Sequence, residues 1–389
     1  MKAAIRPWAL SGGAAVAVGF ARFAYALILP AMKTDLQLNY AQAGWLNTAN
    51  ALGYLLGALI TIAVVARVGN RRLFVGGLAL TTLALIANGW THNFELLTLF
   101  RFLAGFGAAG AFICGGVLSG VLGTRAIVIF FSGGGIGMLV TGALLPWLFE
   151  YAGPGSWPWA WMAMGAICVP LSLAAIAAMR DIAEPSQAGS SAKWPWRPCV
   201  PEFTAYFLFG LGYIAYVTFI VAWVGANPVG SLSQAAITSV MWSLLGFMTL
   251  MAPMLWRRVF NGRHDGVPMA ASMMVLAVGA ALPLMVPSIA GVWLSAALVG
   301  SSVFMVPSAA TGFVKTNLPP PAWGGALAVA TSLFAIGQTI GPVAAGWVSD
   351  LSGSLSMGLS VSAGVLVVGA LIALLQKPVQ TPAAQVAAS

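Results

Sequence analysis

Charge is the scarcest resource in this chain. Asp, Glu, Lys and Arg make up 6% of its 389 residues, and only 8 residues are acidic, whereas a soluble domain carries about 25% charged residues. A soluble protein of this length could not cover its surface with so few, so the bilayer must be its solvent. Histidine and cysteine are scarce as well. His92 and His264 fall in loops on opposite sides of the expected bundle, and Cys114, Cys168 and Cys199 show neither metal-ligand spacing nor a disulfide pattern. No Walker motif and no cluster of nucleophile and base is present, so direct drive by ATP and membrane-enzyme chemistry both lack residues to carry them. No cofactor is implied. The formal charge of +9 does not indicate a nucleic-acid partner, because in a membrane chain the placement of the cations matters more than their sum.

Apolar length is what the chain has in quantity. It is 60% hydrophobic, and twelve stretches near 8–30, 43–66, 73–91, 94–121, 125–148, 158–180, 201–224, 232–255, 267–286, 289–313, 322–347 and 355–376 read as spans, each close to the roughly 20 residues a transmembrane helix needs. The 46 glycines fit close helix packing in lipid. The first stretch is too long for a signal-peptide core and leads straight into further spans. With the N-terminus in the cytoplasm, Lys2, Arg6, Arg67, Arg71, Arg72, Arg125, Arg180, Lys193, Arg197, Arg257, Arg258, Arg263, Lys315 and Lys377 all fall on the cytoplasmic side, and Lys33 alone falls outside. The positive-inside rule then predicts an even number of spans with both termini cytoplasmic, in a bacterial inner (plasma) membrane.

The longest hydrophilic stretch, DIAEPSQAGSSAKWPWRPCV at 181–200, separates six spans from six. It reads as a cytoplasmic linker between an N-terminal half, 1–180, and a C-terminal half, 201–389. The halves resemble each other. GFARFAY at 19–25 matches GLGYIAY at 210–216 through Gly19 and Gly210, Ala24 and Ala215, Tyr25 and Tyr216, with Tyr213 standing where Arg22 stands. Gly133, Gly137 and Gly142 have the spacing of Gly337, Gly341 and Gly346. Two matches in the same order point to parallel repeats related by an axis along the membrane normal.

Twelve spans in two six-span halves joined by a cytoplasmic linker resemble the major facilitator superfamily over essentially the whole chain. ARVGNRR at 66–72 is similar to that family's DRxGRR loop through Gly69, Arg71 and Arg72, but Ala66 replaces the usual Asp. The resemblance implies an inner gate at this loop, held here by something other than that acid. RFLAG at 101–105 is similar to the family's RxxxG pattern. GQTIGPVAAG at 337–346, with Pro342, resembles its Gly-Pro motif, while span five has Met138 where the Pro would stand. By this resemblance Gly133, Gly137, Gly142, Gly337, Gly341, Pro342 and Gly346 are conformational positions. GFARFAYALILP at 19–30 and LNTANALGYLLGAL at 46–59 further resemble the YbfB/YjiJ branch.

Two cations lie inside spans. By the helical rise, Arg22 sits roughly 12 Å and Arg101 roughly 10 Å below the outer end of its helix. Each costs about 2.5–3.5 kcal/mol on an insertion scale, and no acid lies at mid-depth to pair with them. Either they bond helix-end carbonyls or snorkel outward, with Arg101 reaching Glu95 or Glu150, or they face a water-filled cavity and meet an anion. A guanidinium offers a planar fork that fits a carboxylate. Arg22 also shares helical spacing with Gly19 and Ala15, a narrow face that would border a cavity. Asn47 and Asn50, Tyr25, Tyr213, Tyr216 and Gln338 are further polar candidates, with Asn50 and the tyrosines as substrate contacts and the Asn pair alternatively as glue between helices. WPWAW at 157–161 reads as an outer interfacial belt.

The reading is a secondary active transporter that moves a small organic solute by alternating access, an anion if the arginines meet it. Efflux of neutral or cationic drugs or metabolites stays open as an alternative, as does a non-transporting sensor with a transporter fold. A proton or a counter-ion is the candidate coupling species. A monomer embedded in lipid is expected.

Overall fold

The computed structural model describes residues 5–184 and 194–379. Lys2, Lys193 and residues 185–193 of the expected linker lie outside the described residues, as do residues 380–389. Among the described residues the fold is all-helical. The long helices are α1 (Arg6–Asp35), α2 (Tyr40–Val68), α3 (Asn70–Asn88), α4 (Phe94–Val121), α5 (Thr124–Ala152), α6 (Trp157–Met179), α7 (Val200–Ala226), α8 (Gln234–Leu255), α9 (Val267–Met285), α10 (Ile289–Asn317), α11 (Trp323–Ser352) and α12 (Leu355–Ala373). Eleven are long and apolar enough to cross a membrane. The other, α3, opens on Asn70, Arg71 and Arg72, which shorten its apolar run.

Short connections make neighbouring helices run in opposite directions. One end of the bundle therefore carries Asp35, Glu95, Glu150 and Asp350, and the other carries Arg67, Arg71, Arg125, Arg180 and Arg257; these are the acidic end and the basic end. α1 and α7 are the most enclosed, with 89% and 83% of their most apolar windows buried. They form the centre, and the remaining helices present apolar side chains such as Leu59, Leu83, Val128 and Val368 outward, as lipid requires. α10 is interrupted at Phe304. Pro307, three residues on, has no N–H for the Val303 carbonyl and its ring crowds that carbonyl.

The two glycine triads reveal the internal repeat. In α5, a methyl on Gly133 or Gly137 would overlap α1, at Ser11 and Gly19, and one on Gly142 would crowd Ser243 of α8. In α11, a methyl on Gly337 or Gly341 would overlap α7, at Phe207 and Leu211, and one on Gly346 would overlap Tyr40 of α2. Each triad thus seats its helix on the first helix of its own half and on the second helix of the opposite half. The architecture is two pseudo-symmetric six-helix halves, α1–α6 and α7–α12.

WPWAW does not form the expected belt. Trp159 is 67% exposed, but Trp157 and Trp161 are fully buried, with the Trp157 indole donating to Asp35 Oδ2 at 2.7 Å. The helix turns successive tryptophans to different faces, so only one of the three can reach the interface.

Candidate functional site

α1 is not a regular helix where Arg22 stands. Residues Ala15–Phe23 form π-turns, a rare widening that recurs at functional sites. The wider turn breaks the expected face of Arg22, Gly19 and Ala15. Gly19 and Ala15 lie against Gly137 of α5, while Arg22 turns toward α2, its Cζ 5.6 Å from the centre of the Tyr54 ring. Arg22 is half-buried, and its Nε and Nη2 are buried with no hydrogen-bond partner.

Arg101 is held more firmly, although its Nη2 is also buried without a hydrogen-bond partner. It is fully buried, at 0% exposure. Its Nη1 donates to the Ala21 carbonyl at 2.8 Å and its Nε to the Leu46 carbonyl at 3.4 Å. Its guanidinium lies 4.6 Å from the centre of the Tyr25 ring and 5.3 Å from that of Trp161. It reaches neither Glu95 nor Glu150. Arg101 ties α4 to the carbonyls of α1 and α2, and Asn50 completes the tie by donating to the Arg101 carbonyl at 3.0 Å. Tyr25 belongs to this buried group: its ring stacks on Trp161 and its hydroxyl donates to the Ala43 carbonyl at 2.7 Å.

The C-terminal half faces Arg22 with rings. Tyr206, Phe209 and Tyr213 recur on one side of α7, and Phe334 of α11 meets all three, with interplanar angles of 4° to 17°. The Tyr213 hydroxyl donates to Gln338 Oε1 at 2.7 Å. α2 and α11 run antiparallel and meet where Thr48 donates to the Thr339 carbonyl, so Tyr54, with Arg22 over its ring, and Phe334 stand at about the same depth, six and five residues from that contact toward the basic end. Tyr216 looks elsewhere and pairs with Ser295 of α10 at 2.7 Å.

So Tyr213 and Gln338 come together in the half opposite Arg22, while Tyr25, Asn50 and Arg101 form a separate buried tie and Tyr216 stands apart. Tyr54, Tyr206, Phe209 and Phe334 were missed. The i, i+3, i+7 spacing of Tyr206, Phe209 and Tyr213 was the available signal.

Polar contacts between the halves follow one rule. Among the described residues, they lie at the acidic end or at mid-depth. Asp350 of α11 accepts from the Tyr40 and Ala41 amides at the start of α2, at 3.0 and 2.8 Å. Glu150 of α5 accepts from Ser233 Oγ and the Ala235 amide at the start of α8, at 2.8 and 3.2 Å. The two contacts are the same contact exchanged between halves. Each carboxylate occupies the positive N-terminus of the opposite half's second helix, where four amides lack partners within the helix. Asn47 donates to Thr218 at 2.6 Å and Thr48 to the Thr339 carbonyl at 2.7 Å. Gly44 lies too close to the Pro342 carbonyl for any side chain.

At the basic end, contacts stay within a half. Glu184 accepts from the Asn70 amide and pairs with Arg71 at 3.8 Å, and its carboxylate lies against Gly69, whose φ of +88° suits glycine. Arg72 is exposed. Glu184 thereby fills the place that Ala66 leaves without an acid. Glu202, in the first turn of α7, is 1% exposed, and its Oε2 has no partner. A cavity of about 270 Å³ opens at the acidic end between α1, α5, α7 and α8, lined by Leu27, Ala31, Phe149, Glu150, Val221 and Thr238. Its lining is mainly apolar and does not include Arg22.

Two interchangeable halves around a central seam that holds an unpaired cation define a membrane transporter of small solutes. Solved transporters share the architecture. A nucleoside transporter, NupG, aligns with a TM-score of 0.73 at 14% identity, covering 97% of this chain and 99% of that one. A bacterial homologue of the human lysosomal transporter Spinster, inward-facing and occupied, aligns with a TM-score of 0.72 at 18% identity over 97% of this chain and 98% of that one. The chain belongs to the family described as "Uncharacterised MFS-type transporter YbfB", whose model matches residues 14–374. A niacin transporter, NiaP, of Acinetobacter baylyi is 31% identical over 85 residues, which is 22% of this chain and 19% of that protein.

Proposed function

We propose that this chain is a secondary active transporter that carries a small organic anion by alternating access, with Arg22 as the group that recognises the anion. The observation that carries the reading is the pair of unpartnered nitrogens on Arg22. A buried donor without an acceptor costs about 1–3 kcal/mol, more when charged, and an anionic solute at the seam would remove that cost. Arg101 offers no such fork: backbone carbonyls take its Nε and Nη1, two rings cover it, and Nη2 alone is left without a partner. The niacin transporter named above supports the reading to the extent that niacin is itself a carboxylic acid. A cationic substrate would meet Arg22 with no acid beside it.

The moving bodies are residues 1–180 and 201–389, joined by the 181–200 linker. The basic end and both termini face the cytoplasm of a bacterial cell, as the cation bias requires. Asp350 and Glu150 form a seal between the halves at the acidic end, beside the cavity that Glu150 lines, and alternating access makes and releases these ties. Movement is coupled to a proton or an exchanged counter-ion, and the unit is a monomer.

The test is a melting-temperature screen of the purified protein against size-matched organic anions, neutral solutes and cations, since a ligand of the native state raises stability by mass action. Stabilisation by anions is expected. Stabilisation confined to cations or neutral solutes contradicts the reading.

A further inference from the structure

We propose that the solute is a planar aromatic monocarboxylate, whose ring slots between Tyr54 and the Tyr206–Phe209–Tyr213–Phe334 stack while its carboxylate takes the Nε–Nη2 edge of Arg22. The inference rests on the anion reading above and adds the shape and the charge count.

The charge count follows from the two arginines. Nε and Nη2 are the two nitrogens along one edge of a guanidinium, the edge that takes a carboxylate through two parallel hydrogen bonds. On Arg22 these same two atoms lack partners. Arg101, the neighbouring cation, has its Nε and Nη1 on backbone carbonyls and its guanidinium on Tyr25 and Trp161, which leaves Nη2 alone without a partner and no edge free for a two-bond grip. One open fork accepts one carboxylate. A second carboxylate would lie against the ring faces, which are the negative part of an aromatic quadrupole.

The shape follows from the rings. Aromatic neighbours in proteins commonly meet edge to face or offset-stacked. Here every recorded ring pair among Tyr206, Phe209, Tyr213 and Phe334 is stacked, with centroids 4.5 to 6.0 Å apart. Such a cluster presents parallel faces. Tyr54 stands across the seam from it, on the other half, beneath Arg22. Thr48 of α2 meets the Thr339 carbonyl of the antiparallel α11, so Tyr54 and Phe334, six and five residues from that contact toward the basic end, stand at about the same depth, yet Tyr54 makes no ring contact with the stack among the described residues. A flat ring entering there gains a face on either side. Gln338, its carbonyl engaged by Tyr213, keeps an amide N–H₂ to offer a ring heteroatom or the carboxylate. Because Tyr54 and the stack belong to different halves, a ring held between them links closure of the seam to occupancy.

The test uses purified protein in detergent and four probes: benzoate, 2-naphthoate, cyclohexanecarboxylate and benzamide. Benzoate and cyclohexanecarboxylate share a charge and nearly a size but differ in planarity, and benzamide is planar without the charge. The expected order is an aromatic carboxylate bound about tenfold more tightly than cyclohexanecarboxylate, given the worth of stacked aromatic contacts on two sides, with benzamide weakest. Tyr54→Leu and Phe334→Leu should each bring the ratio of benzoate to cyclohexanecarboxylate affinity toward one. If cyclohexanecarboxylate equals benzoate in the native protein, or if aliphatic anions bind while neither aromatic acid does, the ring inference is overturned and the anion reading stands. If benzamide binds as well as benzoate, the anion reading itself falls.

Discussion

α1 and α7 hold equivalent places in the two halves, each seated on a glycine-rich helix of its own half, yet they are built differently. α7 is a regular helix through its middle and carries three rings of the stack. α1 is widened by π-turns over Ala15–Phe23 and carries a guanidinium with no partner. The scaffold is symmetric and the site is not. On the proposed reading, charge recognition belongs to one half and apolar faces to the other, so a solute that needs both engages the site fully only when the halves meet. The acidic end shows the opposite principle. There the repeat is kept in function, with Glu150 and Asp350 capping each other's halves.

The largest effect expected is on folding, and it separates the two arginines of the N-terminal half. Arg101→Met should lower stability by about 2–5 kcal/mol, through lost charged hydrogen bonds and ring contacts. The insertion cost of the charge is common to the packed and unpacked states in the membrane, so its removal does not offset this. Melting temperature and yield in detergent measure it. A stable Arg101→Met protein would break the contrast drawn here.

Next in size is the seal. Asp350→Ala and Glu150→Ala should each weaken a helix-cap contact by about 1 kcal/mol. Each alone should shift the balance between open and closed acidic ends by about 5-fold, and both together by about 30-fold. Spin labels at Tyr151 and Leu232, exposed on either side of the seam, would read the change as a longer distance. Equal shifts from the two single variants would support the symmetric account, and a shift from only one would break it. The smallest effect belongs to the basic end. Glu184→Ala removes a half-exposed pair worth about 0.2–1 kcal/mol, and because that contact lies within one half, the same label distance should not move.

Much of this was legible in sequence. Apolar runs fixed the spans, cation bias ordered their ends, and the matched spacing of Gly133, Gly137 and Gly142 with Gly337, Gly341 and Gly346 located the repeat. What failed were statements about direction around a helix. The face shared by Arg22, Gly19 and Ala15 assumed a regular turn, which the π-segment replaces. The depth of Arg101 was readable from the helical rise, but not that it points inward to backbone carbonyls instead of outward to Glu95 or Glu150. WPWAW misled for the same reason. Glu184 was beyond reach for another: it meets Asn70 across 114 residues, and only the folded chain brings them together.

The central claim is that Arg22 binds the solute and does not hold the fold. It is tested most directly by measuring anion affinity and melting temperature on the same preparations of the native protein, Arg22→Lys and Arg22→Gln. Arg22 makes no hydrogen bond through its fork, so neither variant should melt earlier by more than the small worth of its contact with Tyr54, about 0.5–1 kcal/mol. Lys keeps the charge and loses the fork, so affinity should fall in part. Gln should lose about 1.5–3 kcal/mol of binding, roughly 10- to 150-fold. An Arg22→Gln protein that binds the anion as the native protein does, or one that unfolds before binding can be measured while Arg101→Met stays folded, would contradict the account.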